Sequence, residues 1–97
     1  MTIDSTFRAL NDPTRRQILG LLRERDRTAG EIAERFPLAK STLSGHLKVL
    51  RDAGLVVHER VGTSIVYSLN VSALEETVAA VLAIFSKGGG KRKERAS

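Results

Sequence analysis

The chain has 97 residues, which suits one small domain, and its 41% hydrophobic content supports a modest core. It has no cysteine, which excludes disulfides, thiolate metal ligands and a cysteine nucleophile. The net charge is +5, but five of the 16 basic residues and one of the 11 acidic residues lie in residues 87–97. Because the rest of the chain is nearly neutral, overall charge alone does not indicate nucleic-acid binding.

The sequence contains no apolar run near the roughly 20 residues that cross a bilayer, so we predict no membrane insertion. Its first residues, MTIDSTFRAL, lack the long apolar stretch of a signal peptide. We therefore expect a cytoplasmic protein.

Two helices are predicted at the start of the chain. The first covers about residues 5–10. The second follows Asp12, a good N-cap residue, and Pro13, whose missing N–H suits the first helical position. It is predicted to end at about Arg25.

The third predicted helix begins at the segment Thr28–Glu31, which has the pattern of a capping box. In that motif the threonine hydroxyl and the glutamate carboxylate each satisfy an exposed backbone N–H. The helix is predicted to run to about Phe36, before Pro37.

The fourth predicted helix covers about residues 40–53 and places Leu43, Leu47 and Leu50 on one face. Gly54 follows at the position that favours left-handed backbone, so it should end the helix. A short helix, a tight turn and a second amphipathic helix form a helix-turn-helix.

Beyond Gly54 the pattern changes to two β-branched runs, LVVHERV and IVYSL, separated by Gly62–Ser64, which predicts a hairpin. A second capping box, Ser72–Glu75, is predicted to open the last helix. That helix is apolar around most of its surface, which is typical of a helix buried on more than one side.

These elements predict a mainly α (α+β) winged helix-turn-helix with four helices, a β-hairpin wing and a C-terminal dimerisation helix. Residues 1–86 would form the DNA-binding and dimerisation domain. Residues 87–97 are rich in glycine and charge, so we expect a disordered basic tail there.

The polar face of the fourth helix begins with short side chains, and a recognition helix presents its N-terminal residues to base edges. Short hydroxyl side chains allow close approach and can hydrogen-bond to several bases. Phosphate contacts are expected from lysines of this helix and from the wing, whereas Arg15 and Arg16 are expected to form ion pairs within the chain. The candidate DNA-contacting residues are Lys40, Ser41, Thr42, Ser44, Gly45, His46, Lys48, Arg60 and Thr63.

The last helix carries more apolar surface than a domain of this size can bury alone, which favours a homodimer. Its partner surface would include the first helix. The candidate interface residues are Ile3, Phe7, Leu10, Leu74, Val78, Val81, Leu82 and Phe85.

Three motifs in the same order resemble those of the arsenic-repressor-type (ArsR) winged-helix regulators of prokaryotes. They are Asp12–Leu19 (DPTRRQIL), Ser41–Val56 (STLSGHLKVL and AGLV) and the wing Arg60–Asn70. The resemblance covers about residues 5–85, and the segment Thr28–Ala33 is most similar to the SdpR-type autorepressor branch. It implies a homodimeric transcriptional repressor that binds a double-stranded DNA operator.

Metal-sensing members of that family carry cysteines at the start of the third helix or histidine and acidic ligands on the last helix. This chain has no cysteine at Arg27–Ile32, and its last helix offers only Glu75 and Glu76. We therefore expect no metal and no cofactor. Release from DNA would come from a protein partner that relieves repression, from dilution of an autoregulated repressor, or from an unidentified ligand.

Two other functions were compared with DNA binding. Winged helices also serve as protein-interaction or RNA-binding modules, so that alternative stays open. An enzyme is not expected, because no His, Asp, Glu or Ser residues stand at a spacing that suggests a nucleophile and its base.

Overall fold

A computed structural model describes residues 3–96 of the chain, with side chains as far as residue 86. In order, the elements are α1 (Ile3–Leu10), α2 (Pro13–Glu24), β1 (Arg27–Thr28), α3 (Ala29–Ala33), α4 (Lys40–Asp52), β2 (Val56–Val61), β3 (Ser64–Leu69) and α5 (Val71–Ala96). The predicted mainly α winged helix-turn-helix is confirmed. The sequence predicts a disordered tail at residues 87–97, and this stays a prediction, although the backbone of α5 is helical as far as Ala96.

The sheet has three strands instead of the predicted two. Its order is β1-β3-β2 with antiparallel neighbours, and Arg27 of β1 lies opposite Tyr67 of β3. Because β1 is only two residues long, it has no alternating pattern from which a strand could be predicted.

Side-chain caps start α2 and α3 as the sequence predicts. Asp12 Oδ2 accepts a hydrogen bond from the Arg15 N–H at 3.0 Å. At α3 the capping box is complete, since Glu31 N donates to Thr28 Oγ1 at 3.1 Å and Thr28 N donates to Glu31 Oε1 at 2.9 Å.

The third helix ends at Ala33 rather than at the predicted Phe36. Pro37 disfavours helical backbone at the residue before it, and this restriction shortens the helix from its C-terminal side.

The last helix begins after Asn70, so the prediction of a capping box at Ser72–Glu75 is wrong. Asn70 Oδ1 accepts from the Ala73 N–H at 3.2 Å, and Asn70 Nδ2 donates to the Gly54 carbonyl at 2.9 Å. One amide side chain therefore caps α5 and joins its start to the end of α4.

A Schellman motif ends α4. Leu55 N donates to the Leu50 carbonyl at 3.0 Å, Gly54 N donates to the Arg51 carbonyl at 2.9 Å, and Gly54 has φ +79°. This reversal leads the chain from α4 directly into β2 of the wing.

The hydrophobic core lies between the helix-turn-helix and the inner face of the sheet. It is almost entirely aliphatic, with Tyr67 as its one aromatic member among the buried residues described. Its large members are Ile18, Leu22, Ile32, Leu43, Leu47, Leu50, Leu55, Val56 and Tyr67. Because α4 supplies three of them, its orientation is fixed by the core along its whole length. None of the helices, as far as they are described, combines the length and apolar character needed to cross a membrane.

Candidate nucleic-acid interface

The two faces of α4 are sharply different. Leu43, Leu47 and Leu50 are buried. The residues that the sequence predicts to contact DNA on this helix, apart from His46, are all exposed: Lys40, Ser41, Thr42, Ser44, Gly45 and Lys48. The structure therefore leaves the predicted base-contacting residues accessible in the first two turns of α4.

The first turn of α4 has no side-chain cap. Ala39 occupies the N-cap position and forms no side-chain hydrogen bond to the helix. The backbone N–H groups at a helix start are suited to anions such as phosphate. The turn that carries Ser41 and Thr42 therefore exposes backbone as well as hydroxyl donors.

Gly45 is not required by packing within the described chain. A Cβ placed there would meet no atom within 4 Å. Glycine in a helix interior costs about 1 kcal/mol relative to alanine. The structure therefore leaves open space over α4 at this position.

Lys48 forms an exposed ion pair within its own helix. Its Nζ lies 2.6 Å from Asp52 Oδ2, and this hydrogen bond is the main cause of the lowered pKa of the Asp52 carboxyl. Exposed pairs of this kind contribute little to stability, so a DNA phosphate can compete for the ammonium group.

His46 is directed away from the open face of α4, and its side chain is only 17% exposed. Its Nδ1 lies 3.1 Å from Arg15 Nη1 and 3.9 Å from Asp12 Oδ2. Arg15 and Arg16 act within the chain as predicted, but their guanidinium groups donate to the carbonyls of Arg8, Ala9 and Leu10. The expected ion pairs are thus replaced by bonds to the end of α1, where helix carbonyls lack partners.

The free energy of unfolding at acid pH should depend on the ionisation of the Asp12 carboxyl. The hydrogen bond from Arg15 N–H is the largest cause of the lowered pKa of this carboxyl, and a positive charge on His46, present only when its ring is protonated, and the charge of Arg15 add to it. A folded pKa below the ordinary 3.8 means that the ionised group stabilises the fold above that pH and loses this effect as pH falls through the folded pKa. We therefore expect Asp12→Ala to lower the free energy of unfolding by a constant amount between pH 5 and 7, and by less near pH 3.

Denaturant unfolding across this pH range measures the effect, with Asp26→Ala as the control because Asp26 is an exposed carboxylate outside any cap. An equal deficit at pH 3 and pH 7 would contradict the prediction.

The wing is a tight hairpin that carries the other predicted phosphate contact. Val61 pairs with Ser64 across Gly62 and Thr63, and Gly62 has φ +66°, the sign that a type II′ turn requires at its first central position. Side chains alternate along β2, so Arg60 shares the face of buried Val56 but lies exposed, opposite Ile65 near the turn. Because β2 packs against α4, this face places Arg60 on the recognition-helix side of the sheet.

The predicted interface residues divide into two groups. Phe7, Val78, Leu82 and Phe85 are exposed, whereas Leu10 and Leu74 pack partly against the core. The other two predicted positions, Ile3 and Val81, are half-buried.

Two further apolar residues of α5, Val71 and Ile84, are exposed, although neither is among the predicted interface residues. On α5 an apolar groove of about 360 Å³ is lined by Val71, Leu74, Glu75, Val78, Ala79 and Leu82. Together with the exposed ring of Phe7 on neighbouring α1, it forms a surface that we call the α1–α5 face, defined by Phe7, Val71, Val78, Leu82 and Phe85.

Within the residues that the structure describes, no three His, Asp or Glu side chains are grouped in a way that could hold a metal ion. Glu75 and Glu76 are both exposed on α5. Two carboxylates of this kind suit hard cations and do not make a transition-metal site.

Comparison with known proteins agrees with this geometry. Residues 12–57 match the family described as "Bacterial regulatory protein, arsR family". The transcriptional repressor SdpR of Bacillus subtilis is 42% identical over 86 residues, which cover 89% of this chain and 96% of SdpR. The HTH-type transcriptional regulator NmtR of Mycobacterium tuberculosis is 45% identical over 67 residues, covering 69% of this chain and 56% of NmtR.

Solved structures show the same fold. An ArsR-like transcriptional regulator from Rhodococcus sp. RHA1 superposes with a TM-score of 0.78 at 31% identity, covering 97% of this chain and 85% of that one. Rv0081 of M. tuberculosis gives a TM-score of 0.67 at 37% identity, with 89% and 87% covered. The chain therefore belongs to the ArsR family of bacterial regulatory proteins and is a DNA-binding transcriptional regulator, not an enzyme.

Proposed function

We propose that the chain is a homodimeric transcriptional repressor that binds a two-fold symmetric operator in double-stranded DNA. The observation that carries this proposal is the exposed face of α4, on which short polar side chains and Gly45 stand opposite three buried leucines. A helix with this division can enter a major groove without obstruction while the core holds its other side. The name of SdpR, a transcriptional repressor, supports repression as the outcome.

In this proposal the two kinds of DNA contact come from different side chains. Ser41, Thr42 and Ser44 contact base edges, since hydroxyl groups can donate and accept. Positively charged side chains on α4 and the wing hold phosphates, namely Lys40, Lys48 and Arg60, and Thr63 lies at the wing tip. His46 is discussed separately below because Arg15 engages its ring.

The second half of the proposal is the dimer. The α1–α5 face exposes large apolar side chains, and contiguous apolar patches of this kind mark interaction sites. A second copy of the chain is the occupant that would place two α4 helices on successive turns of DNA, about 34–36 Å apart.

The experiment that tests the proposal is selection of duplexes from a randomised DNA library by the whole chain. We expect an inverted repeat whose half-site centres are about one helical turn, 10–10.5 base pairs, apart. Enrichment of a single half-site would contradict the dimeric reading. Equal competition by an RNA of the same sequence would favour the alternative of an RNA-binding module.

We also propose that the protein represses transcription in the cell and that it acts in the cytoplasm, where bacterial DNA is found. A reporter gene placed behind the DNA upstream of the chain's own coding sequence should be expressed less when the chain is supplied. Unchanged expression would rule out autorepression. The same reporter assay could then be made at other promoters that contain the selected operator.

Arg60→Ala should weaken binding to all duplexes alike, because a phosphate contact carries no sequence information. The slope of log affinity against log salt should fall by about one, since one counterion fewer is released. Arg23→Ala is the matched control, because Arg23 is exposed on α2 and its loss changes the net charge equally. If both variants give the same slope as the unchanged chain, the wing does not contact the backbone as proposed.

Operator affinity should not depend on metal. Tight transition-metal sites need several soft or borderline ligands at one point, and the described residues provide no such group. We expect the same affinity, within about threefold, with a chelator and with stoichiometric Zn²⁺. A difference of tenfold or more, equal to about 1.4 kcal/mol of coupling, would overturn metal independence. If affinity is independent of metal, release is left to a protein partner, to dilution or to another ligand.

A further inference from the structure

The side chain of Arg15 joins three helices at one point. Its Nε donates to the Ala9 carbonyl at 2.7 Å and its Nη2 to the Arg8 carbonyl at 3.0 Å. Its Nη1 lies 3.1 Å from Nδ1 of His46. Arg8 and Ala9 belong to the last turn of α1, Arg15 to α2 and His46 to α4, so one guanidinium group links the end of α1 to the middle of the recognition helix.

The chemistry of this contact favours one state of the imidazole. A guanidinium group is always protonated and has donors only, so a hydrogen bond between Arg15 and His46 requires Nδ1 to accept. Such a bond needs a neutral ring with its proton on Nε2. Asp12, the N-cap of α2, also lies near this nitrogen: its Oδ2 accepts the Arg15 backbone N–H at 3.0 Å and lies 3.9 Å from Nδ1. A carboxylate there favours a protonated ring, so it acts against the neutral state that the Arg15 contact requires.

The position of this contact matters for DNA binding. His46 follows Gly45 and lies two residues after Ser44, beside the exposed face of α4 but turned inward. The buried leucines hold one face of α4 by packing, and a directional hydrogen bond adds a further constraint on rotation of the helix about its axis. A small rotation would move the hydroxyl groups of α4 away from the bases they contact.

The other end of the contact is on α1, which carries Phe7 of the α1–α5 face. The distance and angle between the two α4 helices of a dimer depend on how each α4 is held relative to the face that joins the subunits. Arg15 connects these two parts directly.

We propose that Arg15 and His46 are positioning residues for DNA recognition: their hydrogen bond, with His46 neutral, holds α4 in register with α1 so that both recognition helices fit the operator. The inference rests on the proposed dimeric operator binding. It assigns to His46 an indirect role in recognition through Arg15, in addition to any contact that its Nε2–H makes with a phosphate.

The first test measures the imidazole itself, without DNA. The ¹⁵N chemical shifts of the two ring nitrogens distinguish the tautomers, and His58→Gln leaves His46 as the single histidine for assignment. We expect the neutral Nε2–H tautomer at pH 8, and loss of this preference in Arg15→Gln. A ring that is Nδ1–H at pH 8 would overturn the proposal.

The second test uses a duplex selected by the unchanged chain and a scrambled duplex of the same length as reference. His46→Asn keeps an acceptor near the position of Nδ1, whereas His46→Leu has none. We expect His46→Leu to reduce the ratio of specific to scrambled affinity about tenfold and His46→Asn to restore most of it. His58→Leu is the matched control, because it makes the same change on exposed β2 and should leave the ratio unchanged.

The outcomes separate this inference from the proposed function. If the unchanged chain binds both duplexes equally, the proposed function fails. If the unchanged chain discriminates and His46→Leu, with a circular dichroism spectrum like that of the unchanged chain, discriminates equally well, the positioning role fails while the proposed function stands.

Discussion

Val78→Glu should convert the chain from a dimer to a monomer and lower its operator affinity about 100-fold or more. Val78 is 57% exposed on α5 and lines the apolar groove of the α1–α5 face. A carboxylate at this position would be removed from water in the dimer without a partner, which is costly. The loss in DNA binding follows from the loss of the second half-site, because linked sites gain about 10²–10⁴ in avidity over a single one.

Sedimentation at micromolar concentration measures the oligomeric state, and binding to the selected duplex measures affinity. Val57→Glu is the matched control, since it makes the same change at a valine that is 50% exposed on β2, away from α5. It should leave the chain dimeric. A dimer that persists in Val78→Glu would show that α5 does not form the interface, and a monomeric unchanged chain would show that there is no dimer at these concentrations.

The interface residues illustrate what helical periodicity can and cannot predict. The sequence predicts that α5 is apolar around much of its surface, and the exposure of Val78, Leu82 and Phe85 agrees. It also placed Leu10 and Leu74 at the interface, although both pack partly against the core. Spacing along one helix identifies an apolar face but does not distinguish a face covered by the same chain from one left for a partner.

The fold itself was largely predictable because its boundaries depend on local chemistry. Asp12, the capping box at Thr28 and Gly54 each act within a few residues of their own position, and all three do so in the structure. The strand β1 was missed because its pairing with β3 brings together residues about 40 positions apart, and two residues carry no pattern of their own. Asn70 was missed as a cap because Ser72 offered a stronger local signal.

The candidate site likewise has features that follow from the local sequence and others that depend on contacts between distant residues. The exposed face of α4 follows from the position of its three leucines, so the sequence predicts it correctly. The contact between Arg15 and His46 joins residues 31 positions apart and depends on the angle at which α2 and α4 cross. No local sequence motif specifies the crossing angle of α2 and α4, so the role of His46 could be inferred only from the structure.

The opposite effects of one substitution on stability and on DNA binding would give the clearest sign that α4 enters a groove. Gly45→Leu should raise the free energy of unfolding by about 1 kcal/mol, because leucine has a much better helix propensity than glycine and a Cβ at this position meets nothing within 4 Å. The same side chain would project from the face that approaches the bases. We therefore expect affinity for the selected duplex to fall tenfold or more while the protein becomes more stable.

Gly20→Leu separates the two effects, because the chain has a second helical glycine in the same situation. Gly20 is exposed in α2, and a Cβ there also meets nothing within 4 Å. Its substitution should give a similar gain in stability, measured by denaturant unfolding, with unchanged affinity for the selected duplex. If Gly45→Leu binds that duplex as tightly as Gly20→Leu does, the centre of α4 does not lie against DNA, and the glycine there needs another explanation.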